Sequence, residues 1–308
     1  MSLEVVFFGT PPAAVPTLRA LGSSPHRVSA VVTGPDRPSG RGMRPGHSAV
    51  KAEALEARIP VLQPKTLRAP AGREQIEMTG GDVFVVVAYG LILPEEVLKT
   101  PRLGCVNVHF SLLPKLRGAA PVQWALIEGH SETGVTIMQM DAGMDTGPII
   151  SQTVEPVTEA DTAGSLEARL ADLGAPLLLQ ALDEMESGEA RPVPQDDSRA
   201  TYAPKINPED ARLDWSRPAE ELARRVRAFD PRPGAWTQFR SKRLKVYGAR
   251  RRPGEGEEPG RVVVEGAELS VQASDGRLVL FEVQPEGRRR MTGEEFVRGY
   301  RPDGELLE

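Results

Sequence analysis

The chain has 308 residues, 40% hydrophobic and 26% charged, which is typical of a globular protein and argues against long disordered stretches. Its formal net charge of −5 gives no overall attraction to nucleic acid, so such a partner would have to bind local basic patches. The single cysteine, Cys105, excludes an internal disulfide and a cysteine-based metal site. The length allows two domains with separate cores. The sequence shows no targeting segment and no apolar run of about 18 residues, so we expect a cytoplasmic protein without membrane contact. We also expect a monomer.

The chain opens with a strand, a turn and a helix. Residues 3–8 form an apolar run, Gly9-Thr10-Pro11-Pro12 closes it, and residues 13–21 follow as a helix with proline in its first turn. This pattern indicates the start of an α/β sheet. Gly9 is not followed by the Gly-x-x-Gly spacing of a dinucleotide-binding turn, so the sequence disfavours NAD binding.

A long basic loop follows the second predicted strand, residues 27–32. Residues 33–51 are rich in glycine and proline and have no periodicity, which is typical of a functional or a disordered loop. Its cations outnumber the one acid, Asp36; they are Arg37, Arg41, Arg44 and Lys51. The loop is therefore either a phosphate-binding footprint or a solvated surface loop.

The most strand-like run is residues 82–89, which is apolar on both faces and predicts a central parallel strand. It leads into the apolar loop Gly90-Leu91-Ile92-Leu93-Pro94. Such a loop at the carboxyl end of a strand can flank a flat heterocycle. The alternative is that Leu91 and Leu93 only cap the core.

The following strand carries the polar residues best placed for chemistry. Val106 and Val108 alternate with Asn107 and His109, so the two polar side chains project from one face of a strand. A second strand, residues 135–140, ends in a loop that contains Asp145. A lone strand histidine is more often structural than catalytic. An amide, an imidazole and a carboxylate at one sheet edge, however, form a general acid/base set with an oxyanion donor.

The rest of the chain predicts a closing helix and a second domain. Residues 166–185 have helical apolar spacing, and residues 190–206 read as a linker. Short strands follow at residues 243–249, 260–264, 269–273 and 277–283, which is a small β-barrel pattern. Residues 231–254 contain eight basic residues and no acid, which indicates a polyanion-binding surface or a solvated one. The predicted fold is thus α/β: a Rossmann-like open parallel sheet in residues 1–189 and a small, OB-like β-barrel in residues 207–308.

Three motifs together resemble the active-site signature of the folate-dependent formyltransferases: Asn107-Val108-His109, Ser111-Leu112-Leu113-Pro114 and Asp145-Thr146-Gly147. The resemblance implies that Asn107, His109 and Asp145 are catalytic, that 10-formyltetrahydrofolate is the formyl donor and that no metal is needed. It also implies a set of cofactor-binding residues: Tyr89, Gly90, Leu91, Ile92, Leu93, Ser111, Leu112, Leu113, Pro114 and Asp141.

Further features resemble the tRNA-acting members of that family. Residues 33–51 look like their basic insertion, and Thr201-Tyr-Ala-Pro-Lys205, Arg212-Leu-Asp-Trp215 and Arg227-Ala-Phe229 look like their domain junction. The resemblance implies transfer of the formyl group to the α-amine of methionine on initiator tRNA. The implied tRNA-binding residues are Arg37, Arg41, Arg44, Lys205 and Arg250.

Two alternatives remain open. A formyltransferase acting on a nucleotide or sugar-nucleotide amine would share the trio but would not explain the basic loop and the basic barrel. A non-enzymatic RNA-binding protein would explain the basic patches but not the trio. The chain also departs from the family pattern at two positions: Ala13 replaces the usual aromatic residue, and Phe110 replaces the usual glycine.

Overall fold

The computed structural model describes residues 2–39, 44–254 and 256–308; for residues 37–39 and 44–45 it describes the backbone alone. The chain forms two compact units. The first contains Met1–Pro121, Glu132–Pro156 and Glu167–Pro204, and the second contains Val122–Ser131, Val157–Leu166 and Lys205–Glu308. No helix in the described ranges is long and apolar enough to cross a membrane.

The first unit is built on a seven-stranded sheet and a small two-stranded hairpin. The strands of the large sheet are β1 (Glu4–Gly9), β2 (Arg27–Val32), β5 (Val61–Leu62), β6 (Val83–Val87), β7 (Cys105–His109), β8 (Glu132–Gln139) and β9 (Ile149–Pro156); those of the hairpin are β3 (Arg37–Ser39) and β4 (Arg44–Gly46). The large sheet has the order β5-β2-β1-β6-β7-β8-β9. Its first five strands are parallel, whereas β8 and β9 run antiparallel to their neighbours. The predicted Rossmann-like sheet is therefore confirmed, with two antiparallel strands added at one edge.

Eight α-helices are present in the described ranges. They are α1 (Val15–Gly22), α2 (Ala49–Glu56), α3 (Pro70–Glu77), α4 (Glu95–Leu98), α5 (Pro121–Glu128), α6 (Ala163–Ser187), α7 (Ala219–Phe229) and α8 (Gly293–Tyr300). Two helices have side-chain caps at their N-termini. The Ser48 hydroxyl accepts the N–H of Lys51 before α2, and Thr292 with Glu295 forms a capping box before α8.

The core of the first unit lies around its central strands. All five residues of β6 are buried, as an apolar strand covered on both faces requires. The rings of Phe84 and Tyr89 lie 5.3 and 5.4 Å from that of Phe8. Each such side chain contributes about 1.5–3 kcal/mol through burial. This packing fixes the carboxyl ends of β1, β6 and β7 at one edge of the sheet.

The second unit is built on a six-stranded antiparallel sheet. Its strands are β10 (Ala235–Phe239), β11 (Lys242–Arg252), β12 (Val262–Glu265), β13 (Glu268–Gln272), β14 (Arg277–Pro285) and β15 (Met291–Thr292). Five of them have the order β10-β11-β14-β13-β12, and β15 pairs with β14. Helix α7 buries the face that carries Leu222, Val226 and Phe229.

The last residues of the chain join the two ends of this sheet. Glu308 exchanges two main-chain hydrogen bonds with Gln238 of β10. Upstream of it, the N–H of Val262 in β12 donates to the oxygen of Glu305, and the N–H of Leu307 donates to the oxygen of Gly260. The segment therefore closes the sheet as the predicted small β-barrel requires.

The segment expected as a linker has partners in the first unit. Val193 and Ile149 exchange two main-chain hydrogen bonds of 2.8 Å. The N–H of Arg117 donates to the oxygen of Thr201, and the N–H of Ala203 donates to the oxygen of Arg117. Residues 190–204 thus belong to the first unit, and the second unit begins its long continuous stretch at Lys205.

Candidate active site

Strand β7 brings Asn107 and His109 to the carboxyl edge of the sheet. It pairs with β6 on one side and with β8 on the other, so its position is fixed by both neighbours. The side chains of Val106 and Val108 are buried, while Asn107 is partly buried and His109 is 5% exposed. Both polar side chains reach Asp145, which follows β8. The three residues predicted to act together therefore lie together.

His109 is oriented by the main chain. Its Nε2 donates a hydrogen bond of 3.0 Å to the oxygen of Leu116. A carbonyl oxygen only accepts, so the proton of the neutral ring is on Nε2 and Nδ1 keeps its lone pair. Nδ1 lies 3.7 Å from Oδ2 of Asp145, which is beyond hydrogen-bond distance. Nδ1 is thus the nitrogen that faces the site.

Two donors hold the carboxylate of Asp145. The N–H of Gly118 donates to Oδ2 at 2.8 Å, and Nδ2 of Asn107 donates to Oδ1 at 3.3 Å. The backbone of Asp145 has φ of 54°, in the left-handed region that non-glycine residues rarely adopt. This strained conformation has to be maintained by its surroundings.

The loop that contains Asp145 is stabilised from within. Oδ1 of Asp141 accepts the N–H of Gly143 at 3.0 Å and the hydroxyl of Thr146 at 2.7 Å. A side chain at Gly147 would clash with the main-chain oxygen of Gln139, so this position needs glycine. Asp141, predicted to bind the cofactor, therefore shapes the loop through Oδ1 while its side chain remains exposed.

The Ser111–Pro114 loop is bound to the sheet. Thr136 of β8 donates to the oxygen of Ser111 at 2.6 Å and accepts the N–H of Leu113 at 3.2 Å. Gln152 of β9 donates to the oxygen of Leu113, and the hydroxyl of Ser111 donates to the oxygen of Lys115. These contacts give the loop one conformation beside the trio.

The apolar loop after β6 divides into a buried and an exposed part. Tyr89 and Leu93 are buried, and burial raises the pKa of the Tyr89 hydroxyl to about 12. Leu91 is 39% exposed and Ile92 is 78% exposed. Leu93 therefore caps the core, whereas Leu91 and Ile92 present an apolar surface at the carboxyl edge of the sheet. Gly90 has φ of 83°, which allows the sharp turn between these parts.

One group of potential metal ligands occurs in the described ranges: His26, Asp183 and Glu186. His26 precedes β2 and so lies at the opposite edge of the parallel strands from the trio. Its Nδ1 accepts the N–H of Leu3, which places the proton of the neutral ring on Nε2. Nε2 lies 3.4 Å from Asp183 and carries a hydrogen where a metal would need a lone pair.

The basic loop of residues 33–51, predicted to bind RNA, is anchored by side-chain contacts where it joins α2. Nζ of Lys51 lies 2.7 Å from Asp36 and 2.6 Å from Oε1 of Gln63, so Lys51 anchors the loop instead of offering its charge outward. Arg37 and Arg44 belong to the hairpin of β3 and β4. Arg41 lies outside the described residues.

The basic run at the end of β11 is largely neutralised by acids from other parts of the barrel. Its three arginines have carboxylate partners: Arg250 with Glu268 at 3.9 Å, Arg251 with Asp275 at 3.8 Å, and Arg252 with Glu265 at 2.8 Å and with Glu268. Arg250 also lies over the ring of Phe281 at 5.3 Å. Lys205, in contrast, has an exposed side chain.

The start of the basic run predicted in residues 231–254 lines a pocket of the barrel, here called the barrel cleft, which the sequence did not predict. It is a pocket of about 360 Å³ whose lining includes Phe239, Arg240, Lys242, Arg243, Arg288 and Tyr300. Arg240 is paired with Glu305, and Arg243 stacks on Trp236 at 4.1 Å. Lys242 and Arg288 are exposed and have no carboxylate partner in the described part of the chain. The signal available in the sequence was the interleaving of Trp236 and Phe239 with these cations.

Both units match known protein families. Residues 3–182 match the family described as formyl transferase, and residues 205–301 match the formyl transferase C-terminal domain. The chain is 48% identical over 300 residues to the methionyl-tRNA formyltransferase of Thiobacillus denitrificans, covering 96% of each chain. It is 49% identical over 290 residues to that of Pseudomonas fluorescens, covering 94% of this chain and 91% of the relative.

A solved structure shares the fold. The N-formyltransferase from Helicobacter canadensis, in complex with folinic acid and dTDP-3-aminofucose, has a TM-score of 0.68 and 18% identity, covering 92% of this chain and 99% of that one. At this identity the likeness concerns the fold alone. The matches of both units and the two full-length relatives show that the chain belongs to the formyl transferase family.

Proposed function

We propose that this enzyme transfers the formyl group of 10-formyltetrahydrofolate to the α-amine of methionine carried by initiator tRNA. The observation that carries the proposal is the convergence of Asn107, His109 and Asp145 at one edge of a formyl transferase sheet. The acceptor follows from relatives that are 48% and 49% identical over nearly the whole chain and are named methionyl-tRNA formyltransferases. The product would support translation initiation.

The reaction forms one carbon–nitrogen bond and breaks another. The amine nitrogen bonds to the formyl carbon, the bond from that carbon to N10 of the folate breaks, and one proton passes from the amine to N10. The protein therefore has to stabilise negative charge on the formyl oxygen and to move a proton.

Asn107 and His109 are placed to stabilise that oxygen. Nδ2 of Asn107 donates one hydrogen to Asp145, and its second hydrogen is available to the substrate. Nδ1 of His109 becomes a donor on the same side when the ring is protonated, because Nε2 is held by Leu116. Donors fixed before the reaction stabilise charge without having to reorganise.

Asp145 is placed to accept the proton of the amine. Gly118 and Asn107 each occupy one of its oxygens with a single hydrogen bond, and a carboxylate has about four acceptor positions. The remaining positions can take the amine proton. The separation of 3.7 Å from His109 leaves the two groups close enough to share a proton through the substrate or a water.

The apolar loop after β6 has a surface suited to contact the pterin ring of the folate. Leu91 and Ile92 are exposed side by side there, so they offer an apolar surface to a flat ring. Main-chain groups of residues 89–93 and of the Ser111–Pro114 loop would bind the polar edge of the ring, and Asp141 would contribute its free oxygen.

The acceptor RNA requires basic surfaces. We assign it to the basic loop that carries Arg37, Arg41 and Arg44, to Lys205, and to the barrel. Within the barrel, Lys242 and Arg288 of the barrel cleft have no carboxylate partner among the described residues, so they are better suited to bind phosphate than Arg250, which has a nearby carboxylate. Since charged tRNA is made in the cytoplasm, we propose that the enzyme acts there. We also propose that it is a monomer, which light scattering of the purified protein tests.

A sugar-nucleotide amine is the second candidate acceptor. It is favoured by the fold shared with the Helicobacter canadensis enzyme, whose structure contains dTDP-3-aminofucose. That acceptor would leave the basic loop and the basic residues of the barrel unexplained. Full-length similarity to methionyl-tRNA formyltransferases favours the tRNA acceptor.

The test is the transfer of labelled formyl from 10-formyltetrahydrofolate to methionyl initiator tRNA. Free methionine and dTDP-3-aminofucose serve as control acceptors at the same donor concentration. We expect transfer to the charged tRNA alone at substantial rate. Faster transfer to the sugar nucleotide than to the tRNA would refute the proposal.

A further inference from the structure

The segment of residues 190–204, here called the strap, contacts the loop that holds the catalytic residues. The N–H of Leu116 donates to the hydroxyl of Thr201 at 2.9 Å, and the N–H of Arg117 donates to its main-chain oxygen at 2.9 Å. The main-chain oxygen of Leu116 accepts the hydrogen bond from Nε2 of His109, and the N–H of Gly118 donates to Oδ2 of Asp145. The strap therefore lies directly behind the backbone that orients two catalytic side chains.

One strap residue reaches the Asp145 loop itself. Nε2 of Gln195 donates to the main-chain oxygen of Asp145 at 2.9 Å and to that of Gly147 at 2.7 Å. Both hydrogens of the amide are thus used on carbonyls that flank the left-handed turn. Because φ of Asp145 is 54°, the loop has no intrinsic preference for this conformation, and the two bonds hold it in place.

The orientation of this amide is fixed by a buried arginine. Oε1 of Gln195 accepts from Nε and Nη2 of Arg117 at 3.0 and 2.8 Å. Arg117 is 2% exposed, and its Nη2 also donates to Asp197 at 2.7 Å. An oxygen that faces two guanidinium hydrogens cannot be exchanged for an NH2 group, so the Nε2 hydrogens must point at the Asp145 loop.

We infer that Gln195 is a positioning residue for formyl transfer, acting through Asp145 without touching the substrates. The inference rests on the proposed function, because it assumes that the Asp145 carboxylate takes part in the reaction. Gln195 holds the backbone at Asp145 while Gly118 holds the carboxylate. Losing the first contact lets the turn relax, and a displacement of about 1 Å at a catalytic group can reduce the rate 10²-fold.

Two substitutions separate positioning from simple anchoring of the strap. Gln195→Ala removes all four hydrogen bonds. Gln195→Glu keeps an acceptor for Arg117 but places a carboxylate, which cannot donate, against the two carbonyls. Val193→Ala is the matched control, because this strap side chain is 62% exposed and Val193 pairs through its main chain. Thermal unfolding is measured for each variant, and kinetics are compared among folded proteins.

The expected results are specific to kcat. Gln195→Ala and Gln195→Glu should each lower kcat about tenfold or more and leave KM for both substrates within about twofold, while Val193→Ala keeps the wild-type kcat. In an Asp145→Ala background, adding Gln195→Ala should change the residual kcat by less than about twofold, because its effect passes through Asp145. Wild-type kcat in Gln195→Glu, or equal losses in both backgrounds, would overturn the inference.

The same assay separates this inference from the proposed function. If the wild-type enzyme formylates a different amine, the tRNA assignment fails and the mutant cycle is measured with that amine. If wild-type transfer to methionyl-tRNA is normal and the Gln195 variants behave like Val193→Ala, the inference alone fails. Absence of formyl transfer to any amine overturns both.

Discussion

The imidazole of His109 donates a hydrogen bond of 3.0 Å to the main-chain oxygen of Leu116, and this bond determines which ring nitrogen faces Asp145. The oxygen cannot donate, so Nε2 keeps its hydrogen in both charge states of the ring. The lone pair of the neutral ring is therefore on Nδ1, which faces the carboxylate of Asp145. The orientation comes from backbone, so it should persist when Asp145 is substituted.

The first prediction concerns the trio. His109→Ala, Asn107→Ala and Asp145→Ala should each lower kcat by about 10² or more, because each removes an oxyanion donor or the proton acceptor. The measurement is formyl transfer at saturating donor and acceptor, with thermal unfolding as the control for folding. Folded His109→Ala with a kcat near that of wild type would show that the histidine is structural.

The second prediction concerns Cys105, which precedes Asn107 and His109 on β7. It is 1% exposed, and burial raises the pKa of its thiol to about 12. Alkylating reagents react with the thiolate, which is almost absent at pH 8. We expect no modification of the folded enzyme by iodoacetamide at pH 8 and full modification in guanidinium, measured by mass spectrometry. Rapid labelling of folded, active enzyme would contradict the buried placement.

The third prediction concerns the base of the basic loop. Hydrogen bonds from Lys51 and then from Gln63 lower the pKa of Asp36 to about 2. A carboxylate with a lowered folded pKa stabilises the protein above its unfolded pKa of about 4, and this contribution is lost as the pH falls toward 2. Asp36→Asn should therefore lower Tm at pH 7, with a difference that shrinks below pH 4. A difference independent of pH would assign the effect to packing.

The fourth prediction concerns closure of the barrel. Removing residues 303–308 deletes the main-chain bonds to β10 and β12 and the buried side chain of Leu307. At about 0.5–1.5 kcal/mol per net hydrogen bond, plus one buried leucine, the loss is at least about 3 kcal/mol. We expect a lower midpoint in calorimetry for the second unit. An unchanged midpoint would show that the sheet is stable without closure.

Several elements follow from the sequence because local patterns determine them. The apolar run of β6 and the alternation in β7 were predicted within two residues of their observed bounds. Helices were less precise: the first was expected at residue 13, whereas a short 3-10 turn at Pro12–Ala14 precedes α1. Motif spacing identified the family, and the structure brings Asn107, His109 and Asp145 together as that spacing implies.

Other features depend on contacts between distant segments and leave no local signal. Gln195 lies 50 positions from Asp145 and 78 from Arg117, inside a stretch whose composition is that of a linker. The left-handed conformation of Asp145 is not marked by a glycine. The neutralisation of Arg250 and its neighbours depends on the register between β11 and the strands beside it, which composition does not reveal.

The last prediction compares two pairs of cations in the barrel. Lys242 and Arg288 line the barrel cleft without carboxylate partners in the described chain, whereas Arg250 and Arg251 lie 3.9 and 3.8 Å from acids. Lys242→Ala with Arg288→Ala and Arg250→Ala with Arg251→Ala remove the same charge. A cation already paired in the protein releases fewer counterions from RNA when it binds.

We therefore expect the double substitution Lys242→Ala and Arg288→Ala to raise KM for tRNA several-fold. It should also make the slope of log affinity against log salt concentration shallower by about one unit or more, measured by filter binding from 50 to 200 mM salt. The paired arginines should change both quantities less. Neither pair should alter kcat, because contacts made equally in ground and transition states do not accelerate the chemical step. Equal effects of the two double substitutions would show that only the overall charge of the barrel matters. A larger effect of substituting Arg250 and Arg251 would show that RNA binds at the end of β11.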